Sequence, residues 1–160
     1  MPIIIKEQDF CDLPACAEVI HRGFAETAER NGFTVENNPT HGAFVTTERL
    51  MSEKTNGVIL FCALLDGERM GFFGLDLREN TAILEKLTVI PQHRHNGYGT
   101  QMVEYAKTFA ASKGKAALTA GIIGTDERLW EWYKRNGFVI EEERNFPHLS
   151  FPVKLIKCNL

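Results

Sequence analysis

Val89-Ile90-Pro91-Gln92-His93-Arg94-His95-Asn96-Gly97-Tyr98-Gly99 is the stretch that decides the reading of this chain. It closes an apolar run at 81–89 and opens an amphipathic one at 99–112, so it turns a strand into a helix. Two glycines one residue apart permit backbone conformations, and a close ligand approach, that a Cβ obstructs. The first-turn amides of a helix lack internal partners and carry the positive end of its dipole, which makes such a turn an anion site. Arg94 adds a fixed charge beside them, and a pyrophosphate suits this chemistry. Taken alone, Gly-x-Gly serves an ordinary strand-to-helix turn equally well. No Gly-Lys-Ser/Thr closes the loop, so it is not a Walker phosphate loop, and Met102 stands where a dinucleotide fingerprint needs its third glycine. His93-x-His95 has no third ligand nearby; both read as solvent-facing, and no metal is expected.

Upstream, residues 2–6 read as a strand. Asp12 caps and Pro14 opens a helix in which Cys16, Val19, Ile20 and Phe24 recur at helical spacing until Asn31-Gly32 stops it. Residues 34–46 have loop chemistry, and a short helix follows at 47–54, capped by Thr47. Strands at 58–65 and 69–77 are joined by Asp66-Gly67, a two-residue hairpin signal. A turn at 78–80 leads into the strand 81–89, and turns this tight make the three strands antiparallel neighbours. Downstream, Met102, Val103, Ala106, Phe109 and Ala110 form the inward stripe of the helix, which Gly114 ends. The strand 116–123 is reached by strand–helix–strand, so it runs parallel to 81–89. A helix at 125–136, closed by Gly137, and strands at 138–143 and 151–159 complete the order β-α-α-β-β-β-α-β-α-β-β. The expected class is α/β in the α+β sense, a mixed sheet flanked by helices, with 1–160 as one domain.

Composition agrees with one soluble globular unit. Of 160 residues, 44% are hydrophobic and 24% charged, which excludes a disordered chain, a collagen-like repeat and a disulfide-dense miniprotein. A formal net charge of −3 offers no basic footprint for nucleic acid. The longest apolar runs fall short of the ~20 residues of a membrane span, so no membrane partner is expected. Cys11, Cys16, Cys62 and Cys158 show no CxxC or metal spacing and read as reduced thiols. Met1-Pro2-Ile3-Ile4-Ile5 meets an acidic residue at Glu7 without a basic segment or long apolar stretch, so no secretory signal is read and a cytoplasmic location is expected.

The pattern Val89-x-Pro91-x-x-Arg94-x-x-Gly97-x-Gly99 is joined further on by Leu129-Trp130-Glu131-Trp132-Tyr133-Lys134-Arg135-Asn136-Gly137-Phe138. Together they resemble the GNAT N-acetyltransferase superfamily, and the resemblance covers essentially the whole chain. In that family an R/Q-x-x-G-x-G/A loop grips the pyrophosphate of coenzyme A with backbone amides, and a helix ends in a tyrosine followed by x-x-x-Gly-Phe. The resemblance implies that Arg94, His95, Asn96, Gly97, Tyr98, Gly99 and Thr100 hold the cofactor's phosphates. It further implies that Leu87, Thr88 and Val89 offer backbone groups to the acetyl and pantetheine portions, where the central strands splay around acyl-CoA. Asp126 departs from the Asn common in the family; it keeps the acceptor oxygen, loses the two N–H donors, and equally suits a helix cap.

Acetyl transfer to an amine needs a gripped thioester, a polarised carbonyl, a neutral amine and a proton for the departing thiolate. By resemblance Tyr133, which also touches the cofactor, is the general acid, and the Val89 amide is the oxyanion donor. Glu85 occupies a place where some relatives carry an acid and is the expected general base. Strict alternation puts it on one face with Leu87 and Val89, not with Leu84 and Lys86. A simple pairing of Glu85 with Lys86 or another surface cation stands against that role, and His148 and Glu141 to Glu143 are alternative bases. Acceptor choice in the family lies in the segments here numbered 23–44 and 145–148, where Phe24, Phe33, Phe44 and Phe146 mix with Glu26, Glu29 and Glu36. The implied activity is transfer of acetyl from acetyl-CoA to a primary amine of a small molecule or of a protein or peptide. The alternative is a module that senses acyl-CoA without turnover; a retained Tyr133 favours the enzyme. Dimerisation is frequent among such proteins, and the sequence defines no interface.

Overall fold

Asp66 and Gly67 both take left-handed backbone, with φ of 51° and 81°, and form the two-residue turn between β2 (Ile59–Leu65) and β3 (Glu68–Asp76). This hairpin anchors a seven-stranded sheet in the order β1-β2-β3-β4-β5-β7-β6. The computed structural model describes residues 2–160. β1 (Ile4–Glu7), β4 (Ala82–Val89), β5 (Ala117–Ile123), β6 (Val139–Asn145) and β7 (Pro152–Asn159) supply the other strands. Every pairing is antiparallel except β4 with β5, which is parallel as the crossover requires.

Among the described residues four α-helices cover the sheet. α1 (Leu13–Asn31) begins with Pro14 in its first turn and ends at Gly32, φ 65°, whose N–H returns to Ala28 O and Glu29 O. α2 (Thr47–Thr55) is capped one residue earlier than expected: Thr46, not Thr47, is extended, and its hydroxyl accepts from Arg49 N–H at 3.0 Å. α3 (Tyr98–Ser112) and α4 (Glu127–Arg135) follow β4 and β5.

The helices divide by face. α1 and α2 lie on one side, where Cys16 meets Cys62, and Gly23 sits so close to Thr88 that a Cβ on it would be 2.1 Å from the threonine hydroxyl. α3 lies on the other side, where Tyr105 and Phe109 pack edge-on against Phe61, and Gly71 makes room for Met102. Phe61, Phe72, Phe73 and Phe138 are fully buried between these layers. Each such side chain removed from water contributes about 1.5–3 kcal/mol.

β4 departs from simple alternation. Gly74 opposes Glu85 and Phe72 opposes Thr88, so Lys86 and Leu87 together face the single residue Phe73. This is a β-bulge, and Lys86 within it takes φ 51°, a left-handed conformation that costs a non-glycine residue about 1–2 kcal/mol. The extra residue inverts the pattern. Glu85 therefore shares the α1/α2 face with Thr88 and not, as alternation predicts, a face with Val89.

A further irregularity lies on the other edge of β4. Its parallel ladder with β5 has only two rungs, Ala82 with Leu118 and Ile83 with Thr119, reinforced by the Thr119 hydroxyl donating to Ala82 O at 3.2 Å. Beyond Ile83 the two strands part, while β5 stays paired along its whole length to β7.

The α1–β4 contact is testable. Gly23→Ala should destabilise the protein by roughly 1–3 kcal/mol in urea titration, because Oγ1, Cγ2 and Cβ of Thr88 all lie within 3 Å of the new methyl and no rotamer clears it. Thr88→Ala added to it should recover part of the loss, giving a non-zero coupling in the double-mutant cycle.

Candidate active site

The parting of β4 from β5 sets the site. Ile90 N–H bonds to Met70 O, which makes the adjoining Gly71–Val89 pair a non-hydrogen-bonded one. The peptide groups of Val89 therefore point away from β3, toward the side from which β5 has withdrawn. Both strands end at this opening, and the helices that follow them start there.

On the β4 side the chain makes a one-turn 3₁₀ helix at Pro91–His93 and then the glycine loop. His95 and Gly97 take φ of 65° and 79°, and Asn96 braces the turn by donating its side-chain amide to Arg94 O at 3.1 Å. Gly97 is the N-cap of α3, and among the described residues no side chain caps that end. The Tyr98, Gly99 and Thr100 amides thus open the helix without a capping partner, and the missing Cβ of Gly97 has nothing within 4 Å. This is an open cradle with the positive end of a 15-residue helix behind it. Gly99 is a glycine for another reason as well: a Cβ there would lie 3.0 Å from the Trp132 ring. Trp132, adjacent to a residue the sequence singles out, thereby fixes α4 against the first turn of α3.

The Arg94 side chain turns away from the cradle. It donates to Gly23 O at 2.6 Å and to Val89 O at 3.0 Å and lies 3.4 Å from Glu26 Oε2. It pins the loop to α1 and to the end of β4, and its guanidinium is not the free-standing charge expected beside the amides. Thr88 is buried beneath Gly23 and opposes Phe72, the pair next to Gly71–Val89, so its peptide groups turn to β3 and not to the opening; Leu87 belongs to the bulge.

On the β5 side, Asp126 caps α4, its Oδ1 accepting from Leu129 N–H at 3.0 Å and its Oδ2 lying 3.9 Å from Arg30. The cap is the alternative the sequence offered for this aspartate. About two helical turns later Tyr133 is buried between Trp132 and Phe138, ring centroids at 4.9 and 5.3 Å. Among the described residues its hydroxyl has no hydrogen-bond partner, yet no sealed-off polar side-chain atom goes unpaired, so the hydroxyl reaches an accessible opening. Burial pushes its pKa above the ordinary phenol value, which keeps it protonated.

Glu85 stands just past the last β4–β5 rung, on the α1/α2 face. Burial raises its carboxyl above the usual range, opposed by the Lys86 ammonium and assisted by the negative charges of Glu53 and Asp76. Lys86 lies 3.6 Å from it and 2.6 Å from Glu53 of α2. The sequence offered the Lys86 pairing but not Glu53, thirty-odd residues upstream, because nothing in the chain signals the bulge that turns Lys86 toward α2.

The segments expected to choose an acceptor do meet. His41 takes Phe33 and Phe24 edge-on at 4.9 and 5.5 Å, with Phe44 at 6.1 Å, and burial lowers its pKa. Asn38, fully buried, donates to the Ser150 hydroxyl at 2.8 Å and accepts from Ser150 N–H at 3.0 Å, tying the loop after α1 to the loop between β6 and β7. Phe146 lies apart from the His41 group, beside His148 and Arg144. Glu141 to Glu143 are exposed on β6, and His148 sits in the adjoining loop; neither is brought to Glu85 or Tyr133 by a described contact. Among the described residues no group of three His, Cys, Asp or Glu side chains is placed to hold a metal ion, and no helix is long and apolar enough to cross a membrane.

No curated protein matches the chain. The fold is that of solved acetyltransferases. It is similar to the PaiA N-acetyltransferase of Thermoplasma acidophilum in complex with coenzyme A (TM-score 0.74, 19% identity, 100% of both chains covered). It is also similar to the ribosomal-protein-S18-alanine N-acetyltransferase of Escherichia coli (TM-score 0.79, 16% identity, 99% of this chain and 94% of that one). At these identities the likeness carries the fold and nothing finer. The model of the acetyltransferase (GNAT) family matches residues 22–138, which span α1 from its middle, β4, the glycine loop, α3, β5 and all of α4. Well over half of the chain thus matches, and the chain belongs to the acetyltransferase (GNAT) family.

Proposed function

We propose that this protein, with 1–160 acting as one catalytic domain, transfers an acetyl group from acetyl-CoA to a primary amine of a small molecule or of a protein or peptide. The observation that carries this reading is the opening between β4 and β5, flanked by the uncapped start of α3 on one lip and Tyr133 on the other. The residues present fit coenzyme A: a cradle kept open by Gly97, fixed amides at a helix N-terminus for the phosphates, and strand backbone at Val89, with Leu87 in the bulge beside it, for an amide-bearing arm. When bound, acetyl-CoA supplies an acetyl group activated as a thioester. Neighbours solved with coenzyme A support this assignment.

The protein's own groups divide the work by face. Glu85, on the α1/α2 side, accepts the proton that the amine loses as its C–N bond forms. Val89 N–H, fixed before reaction, is the donor for the negative charge that develops on the carbonyl oxygen. Tyr133, on the α4 side, gives its proton to the sulfur as the C–S bond breaks, and burial keeps that proton in place until then. Arg94 and Asp126 serve the cofactor indirectly, one holding the loop to α1 and the other capping α4. The bulge turns Glu85 to the α1/α2 side, away from the face that alternation gives it with Val89, so the amine approaches the opening from that side. Four free thiols, including a Cys16–Cys62 pair at 3.7 Å, support a reducing, cytoplasmic location.

Isothermal titration with acetyl-CoA, followed by a thiol-release screen over an amine panel, tests the whole reading. Binding with release from at least one amine class is expected. Binding without release from any class means a sensor, and no binding overturns the cofactor assignment. Gly97→Val should leave the protein folded, since the position is open, but weaken acetyl-CoA by roughly tenfold or more, about 1.4 kcal/mol, because a β-branched residue resists φ 79°. Tyr133→Phe should lower kcat by roughly a hundredfold while changing acetyl-CoA affinity little; a fully active variant clears Tyr133 of the acid role. A base works deprotonated, and Glu85 titrates above its usual value, so kcat/KM should fall as pH drops through a limb above the ordinary glutamate pKa of ~4.3. Glu85→Gln should abolish that limb together with most of the activity.

A further inference from the structure

A line of ionic and hydrogen-bonded contacts leads from the loop after α1 to Glu85. Thr40 O accepts from Arg49 Nη1 at 2.7 Å; Arg49 Nε donates to Glu53 Oε2 at 3.1 Å. The other oxygen of Glu53 accepts from Lys86 Nζ at 2.6 Å, and Lys86 Nζ lies 3.6 Å from Glu85 Oε2. Only 10% of the Lys86 side chain is exposed, and 18% of that of Glu53, so water screens these charges weakly. The lysine reaches this position because its backbone is left-handed in the bulge, φ 51°, whereas a regular strand would turn it to the opposite face from Glu85. A conformation that disfavours side chains is here occupied by a long cation between two carboxylates.

We propose that Lys86 is a positioning residue for acetyl transfer: bridging Glu53 and Glu85 at the bulge, it holds the Glu85 carboxylate ionised and in place beside the β4–β5 opening, and through Glu53 and Arg49 it couples that carboxylate to the acceptor-side loop. The inference rests on the reading of Glu85 as the base. The charged groups facing Glu85 are Lys86 on its own strand, Glu53 on α2, and Asp76 and Arg78 at the end of β3. Asp76 and Arg78 pair with each other at 2.6 Å, which leaves Lys86 as the cation in contact with Glu85.

The signs follow from the arrangement. Lys86→Met removes the opposing charge and leaves two carboxylates together, so Glu85 should hold its proton to higher pH. Glu53→Gln removes a negative neighbour and frees the lysine for Glu85, so the shift should run the other way. Glu85 is titrated by NMR in protein labelled with ¹³C at glutamate carboxyls, its resonance identified by its loss in Glu85→Gln. The midpoint should rise by about one pH unit or more in Lys86→Met, fall in Glu53→Gln, and stay near the original value in Lys86→Arg. In thiol-release assays with acetyl-CoA and the best amine of the panel, the acidic limb should move with the midpoint. A general loss of packing does not move two variants in opposite directions, and Glu53→Gln alone carries the test if Lys86→Met does not fold. Unchanged midpoints in both variants overturn the role of Lys86 while leaving Glu85 as base. Glu85→Gln that keeps its activity and its limb overturns the base reading, and this inference with it.

Discussion

The two-rung ladder between β4 and β5 is the constraint on which the rest of the molecule depends. A parallel pair normally extends as far as both strands do, because each backbone N–H and C=O left without a partner away from water is costly. Here β4 continues to Val89 and β5 to Ile123, well past the last rung at Ile83 and Thr119. Arg94 bonds Val89 O and Asp126 N–H bonds Ile123 O; the remaining groups on the facing edges must find water or a ligand. A ligand carrying its own amides restores what the sheet lacks, which explains why a cofactor with an amide-bearing arm suits this opening better than an apolar one.

The parting is held open by close contacts on both faces. Gly23 lets α1 settle onto Thr88, Gly71 lets Met102 of α3 approach the sheet, and Gly99 lets Trp132 of α4 cover the first turn of α3. Each is a place where backbone meets side chain with no room for a methyl group, and together they fix the helices relative to the strands that diverge. The glycine loop therefore serves packing as well as the anion binding proposed for it. Gly97 is the open position, where conformation decides; Gly99 is the crowded one, where the neighbouring ring decides.

Much of this was legible in the chain. Strand and helix order followed from apolar periodicity and from strong stops at Gly32, Asp66-Gly67, Gly114 and Gly137, all of which take positive φ. The loop and Tyr133 carry local signals of their own. What escaped has a common cause. The bulge at Lys86 is a property of two strands in register, and no glycine or asparagine in Leu84-Glu85-Lys86-Leu87 marks a left-handed position. Sequence alternation accordingly assigned Glu85 to the wrong face. The inward turn of Arg94 likewise depends on the carbonyl of Gly23, far upstream, which no spacing rule connects to it.

Magnitudes decide which ties around the opening matter. Arg30 lies between Glu26 and Asp126 at 3.5 and 3.9 Å, but its side chain is 56% exposed, and such pairs contribute about 0–1 kcal/mol. Arg94, half as exposed, donates charge-assisted hydrogen bonds to two carbonyls, each worth roughly 1.5–3 kcal/mol. The lip formed by β4, its loop and α1 is thus firmly joined. The opposite lip depends on α4, held by the Trp132 ring on Gly99, by Lys107 donating to Asn136 O at its C-terminal end, and by Lys154 reaching Glu127 at 3.2 Å. Two of those three contacts run to α3 or its first turn. The two lips are therefore joined through α3 as well as through the sheet, and the uncapped cradle at the start of that helix sits on the element common to both.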